Sequence, residues 1–91
     1  MPGRLRRQFG SRLKSIRLQR QLTQEEFAEL LEISVDFLSL IERGVNAPSF
    51  ETLEQISEKL SVPVHTLFTF PEVRAHPDRI PRRPARRPEA R

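Results

Sequence analysis

The side chains able to do chemistry in this 91-residue chain are its charged ones. Cysteine is absent, which removes thiolate nucleophiles, thiolate metal sites and disulfides. His65 and His76 stand eleven residues apart with no ligand set around them, so no metal centre is expected. Neither histidine belongs to a serine or carboxylate constellation. The glutamates recur at three- and four-residue spacing (Glu25, Glu29 and Glu32; Glu51, Glu54 and Glu58), as solvated helix faces do. Neither enzyme activity, a cofactor nor a small-molecule ligand is expected. What remains is charge, and it is segregated. Residues 1–20 hold seven basic side chains and no acid, residues 21–70 carry a net −7, and residues 71–91 hold seven arginines against three acids. Basic ends suit a polyanion such as nucleic acid, while the acidic middle argues against a uniformly basic binding face.

The elements that must position these residues are helical. Phe9, Leu13 and Ile16, with Leu5 before them, recur at helical spacing and predict a first helix over about 5–20. Thr23 followed by Glu26 is a capping box that opens a second, whose stripe is Phe27, Ala28, Leu30 and Leu31. Ser34 caps a third, with Leu38 and Ile41 inward and Gly44 as terminator. Ser49 caps a fourth carrying Leu53, Ile56 and Leu60, and Pro63 opens a short fifth through Leu67 and Phe68. A compact five-helix, all-α domain is expected over residues 9–70, preceded by a basic arm (1–8). Five prolines and few apolar residues predict a disordered Arg/Pro-rich tail over 71–91. No apolar run is long enough to span a membrane, and Arg4, Arg6 and Arg7 are not followed by the apolar stretch of a signal peptide. A cytoplasmic location is expected.

Only Glu32 and Ile33 join the second helix to the cap of the third, which forces a sharp crossing. Here LTQEEFAELL, SVDFLSLIERG, APSFETLEQI and VPVHTLF follow one another at set spacing. The stretch 9–68 resembles the phage-repressor and Cro type of helix-turn-helix domain, the XRE family. The resemblance implies a repressor-like five-helix fold whose third helix enters the DNA major groove.

On the third helix Asp36, Ser39, Leu40 and Arg43 lie opposite the core residues, with Val35 near the start. By resemblance, Val35, Asp36, Ser39 and Leu40 read bases, and Gln24 contacts the DNA backbone and braces the reading side chains. Val35 and Leu40 suit thymine methyl groups, and Asp36 a cytosine amino group. Arg43 is the helix's one cation; Asn46 in the following loop and Arg12 on the first helix are further DNA-contact candidates. Gln21 and Glu32 stand where the family often has glycine, and a left-handed backbone there would cost about 1 kcal/mol. Glu42 lies near the apolar face of the third helix, where a lone carboxylate is costly. The resemblance pairs it with Arg17.

One recognition helix discriminates weakly, so a homodimer on a palindromic operator is expected. Val62, Val64, Phe68 and Phe70 are its expected interface, with Leu18 as a contributor. A different class of function is an antitoxin-like or adaptor module that docks a partner chain through the same face, motivated by the −7 middle of the chain.

Overall fold

The computed structural model describes residues 3–70; the expected tail at 71–91 lies outside them. Four α-helices, α1 (Arg4–Gln19), α2 (Gln24–Leu31), α3 (Val35–Glu42) and α4 (Phe50–Leu60), precede a closing 3₁₀ turn, Val64–Phe68. The expected fifth helix is thus a single short 3₁₀ element. Pro63 enters it in an extended conformation, and Thr66 donates its amide back to the Pro63 carbonyl.

The starts of α2, α3 and α4 are set by local chemistry. Thr23, Ser34 and Ser49 each accept from the amide three residues on, and the Thr23 amide donates in turn to Glu26 Oε1. Such caps supply partners to amides that no helical carbonyl can reach. The first helix begins without one. Gly3, left-handed at φ 91°, gives its carbonyl to the Arg7 amide, and α1 starts at Arg4, so residues 4–8 of the expected basic arm are helical, in line with the helix expected from about residue 5.

All four helices end alike. Gln21, Glu32, Gly44 and Ser61 sit in the left-handed region at φ 61°, 62°, 77° and 57°. Each, with the residue after it, donates amides back to the helix it ends: Gln21 and Leu22 to Leu18 and Arg17, Glu32 and Ile33 to Glu29 and Ala28, Gly44 and Val45 to Ile41 and Leu40, Ser61 and Val62 to Glu58 and Ser57. This paired closure turns the chain sharply. Only one of the four positions is glycine, and each of the others carries a strain of about 1 kcal/mol that the paired bonds hold in place.

The core gathers Phe9, Leu13, Ile16, Phe27, Ala28, Leu31, Leu38, Ile41, Leu53, Ile56, Leu60 and Leu67. Two expected core residues lie outside it. Leu30 is rotated about 100° from its neighbour Leu31, away from the arc of Phe27, Ala28 and Leu31, and is 38% exposed. Leu5 extends the stripe of α1 one turn beyond Phe9 and is 57% exposed. Helix α1 crosses α3 closely: a Cβ on Gly10 would fall against the carbonyl oxygens of Ile41 and Glu42.

Candidate nucleic-acid interface

The second and third helices meet through Glu32 and Ile33, and this turn is held from outside. Gln55 on α4 donates its amide to the Leu31 carbonyl at 2.6 Å and to that of Glu32 at 3.2 Å. Lys59 Nζ reaches Glu32 Oε2 at 2.8 Å on the exposed side. The turn therefore gains partners for the carbonyls that end α2, and α4 fixes the angle at which α3 leaves it. Sequence reasoning does not single out Gln55. Its position between core residues Leu53 and Ile56 gives it no periodic signal of its own.

The far end of α3 is fixed by a buried cluster. Arg17 Nε lies 2.8 Å from Glu42 Oε2 and Arg17 Nη2 3.1 Å from Oε1, a two-pronged pair whose side chains are 10% and 2% exposed. Gln24 Nε2 donates to the same Oε1 at 2.9 Å, and Arg17 Nη1 to the Leu22 carbonyl at 3.0 Å. One carboxylate thus ties α1, α2 and α3 together, with both of its oxygens satisfied. Removing either ionic partner would strand a charge in a nearly dry site.

Between these anchors the outer face of α3 is open. Asp36 and Arg43 are exposed, Ser39 and Leu40 half-buried, and Val35 packs partly against the core. Gln24, the first residue of α2, is held in place by Glu42. Asn46 is half-buried in the loop after α3, its amide bonded to the Leu40 carbonyl at 3.2 Å. Arg12 stands apart from this group: its Nε donates to the Thr66 carbonyl of the closing turn at 3.0 Å.

The apolar residues near the C-terminal end of the described chain divide. Phe68 stacks on Phe9 with ring centroids 5.1 Å apart, and Val62 also packs against the core. Val64 is 39% exposed, Phe70 leans edge-on against Phe68 at 6.1 Å, and Leu18 is 55% exposed. Among the described residues no group of acidic or histidine side chains is arranged to hold a metal ion, and no helix is long and apolar enough to cross a membrane.

Two short helices, locked at a tight turn and presenting the second one's outer face to solvent, define a helix-turn-helix protein. Residues 13–67 match the helix-turn-helix family model HTH_3, and the chain belongs to that family, which is not a family of enzymes. It is 39% identical over 57 residues to the HTH-type transcriptional regulator DdrOP3 of Deinococcus deserti, a match covering 63% of this chain and 44% of the relative. It is 40% identical over 58 residues to the immunity repressor protein of Bacillus phage phi105, covering 64% of this chain and 40% of that protein. The chain thus spans less than half the length of either relative. Among solved structures, the clp gene regulator ClgR from C. glutamicum superposes with a TM-score of 0.65 at 33% identity, covering 70% of this chain and 82% of that one. The restriction-modification controller protein C.AhdI from Aeromonas hydrophila superposes with a TM-score of 0.65 at 27% identity, covering 69% and 91%.

Proposed function

We propose that this chain binds double-stranded DNA sequence-specifically and regulates transcription by occupying a promoter or operator, in the cytoplasm of a bacterium or of a phage's host. The observation that carries the reading is the open outer face of α3, held between the Gln55 brace at one end and the Arg17–Glu42–Gln24 cluster at the other. A rigid helix face is what major-groove recognition needs, because each base contact depends on placement within a fraction of an ångström. Val35, Asp36, Ser39 and Leu40 read base edges, and Gln24, Arg43 and Asn46 contact the flanking backbone. Arg12 is left out of this set, since its guanidinium is engaged with Thr66. The names of the similar proteins, a transcriptional regulator and an immunity repressor, support the regulatory role.

A homodimer on a palindromic site completes the reading, with the exposed Val64 and the half-buried Phe70 at its centre and Val62 and Phe68 behind them. Such a pair places its α3 helices about 34–36 Å apart on one face of the duplex.

Selection of bound fragments from a random duplex pool tests both statements. Enrichment of one inverted repeat is expected, with half-sites about 10 base pairs apart centre to centre. Enrichment of a single half-site would remove the dimer. Recovery of no sequence at low salt would remove DNA binding and leave the partner-docking alternative.

A further inference from the structure

The basic residues of α1 and its cap are not equivalent. Arg17 is consumed by Glu42, Arg12 donates to the Thr66 carbonyl, and Arg20 donates to the Leu60 carbonyl at the end of α4. At the opposite end of the helix Arg4, Arg6 and Arg7 are exposed, no acid shares their turn, and none of them joins either ion pair found among the described residues. This end of α1 abuts the end of α3. Arg6 Nε donates to the Gly44 carbonyl at 3.2 Å, and Gly44 lies so close to α1 that a Cβ there would come within 2.8 Å of the Arg7 Cα. Arg43, also exposed and outside both ion pairs, immediately precedes Gly44. Two segments remote in sequence thus bring three exposed, unengaged guanidinium groups, those of Arg4, Arg7 and Arg43, to one end of the recognition helix.

We propose that Arg4, Arg7 and Arg43 form a backbone clamp that grips phosphates beside the bases α3 reads, with Arg6 bonded to the Gly44 carbonyl and holding the two segments together. The inference rests on the DNA-binding reading and deepens it. The outer face of α3 is poor in cations and carries Asp36, which repels phosphate, so its backbone anchorage must come from neighbouring elements. Guanidinium forks suit phosphate oxygens, and arginines outside any ion pair bring no internal partner that must first be released. The left-handed Gly44, which lets α1 approach α3, is what joins the two sets of arginines into one surface. The clamp fixes register and contributes no base preference of its own.

The test uses the full chain and the duplex most enriched by it, with affinity measured as salt is raised from about 50 to 200 mM. The double variant Arg4→Gln/Arg7→Gln should flatten the log–log salt slope by about 0.9 for each phosphate no longer neutralised, about 1.8 in all. Its enriched sequence and melting temperature should match the wild type. Arg4→Lys/Arg7→Lys, which keeps the charge, should restore the slope, and Arg12→Gln should leave it unchanged. A wild-type slope in the folded Gln double variant overturns the clamp while leaving DNA binding intact. A slope that falls equally in the Lys and Gln double variants also overturns it, since the decrease would then not follow charge. A wild-type chain that binds no duplex overturns the DNA reading and the clamp together.

Discussion

At its C-terminal end α1 turns arginine inward; at its N-terminal end it leaves arginine outside. Arg17 closes a nearly dry bidentate pair with Glu42, and Arg20 crosses to the carbonyl that ends α4. Arg7 holds exposed charge beside Gly44, with the exposed Arg4 one turn before it, and only Arg6 at this end is tied back, to the Gly44 carbonyl. The same side chain therefore serves the fold at one end and remains available to a partner at the other. Burial decides which: a guanidinium facing a buried carboxylate is held by a penalty for separation, whereas one in water gains little from any single neighbour. A helix that looks uniformly basic in sequence thus has two segments whose arginines are held differently, joined at Gly10, where α1 and α3 touch.

The sharpest way to break this contrast is to remove the inward partner. Glu42→Ala should destabilise the domain by roughly 3–5 kcal/mol by stranding Arg17, whereas Glu54→Ala on an exposed face should stay within about 0.5 kcal/mol. Urea unfolding of the two variants checks this, and coincident midpoints would show that the buried pair does not hold the fold. Gly10→Ala tests the junction. Its methyl meets backbone oxygens of α3 that cannot rotate away. A loss of about 1–3 kcal/mol, as for other overpacked sites, is expected, read in the same unfolding experiment. Arg12→Gln should cost about 1 kcal/mol through its bond to Thr66, while Arg4→Gln should fall within about 0.5 kcal/mol. Equal losses for these two would erase the distinction between the ends. At the small, stabilising end, Gln21→Gly relieves a left-handed residue and should raise stability by about 1 kcal/mol; a thermal melt that falls instead would show that Gln21 makes an interaction worth more than its strain.

How much of the fold and the site is legible in the sequence follows from how local each device is. The caps at Thr23, Ser34 and Ser49 are visible because cap and recipient lie three residues apart in one string. The left-handed backbones of Gln21 and Glu32 can be suspected from the glycines that family resemblance leads one to expect there, and both adopt them. Ser61 carries the same conformation with no such signal, as serine gives no sign of a positive φ. The helical wheel separates Leu38 and Ile41 from Asp36 and Arg43, but it gives an angle and not a neighbour. It cannot foresee that Arg12 meets Thr66, 54 residues away, or that Gln55 closes the turn after α2. The exposure of Leu5 escapes it for a related reason: periodicity marks a stripe, not where the covering elements stop. The junction at Gly10 does leave a trace, since a glycine inside an apolar helical stripe often marks a close backbone approach.

If the outer face of α3 reads bases, the most direct measurement is the random-duplex selection run in parallel on the wild type and Asp36→Ala. Asp36 is exposed in the first turn of α3, away from the buried cluster, so its removal should leave the fold intact. As the one carboxylate on that face, it can accept from a cytosine amino group and must repel phosphate. The expected result is enrichment of two different sequences, with the change confined to one position in each half-site and little loss of affinity. An identical enriched sequence from both proteins would contradict the placement of this face against the bases.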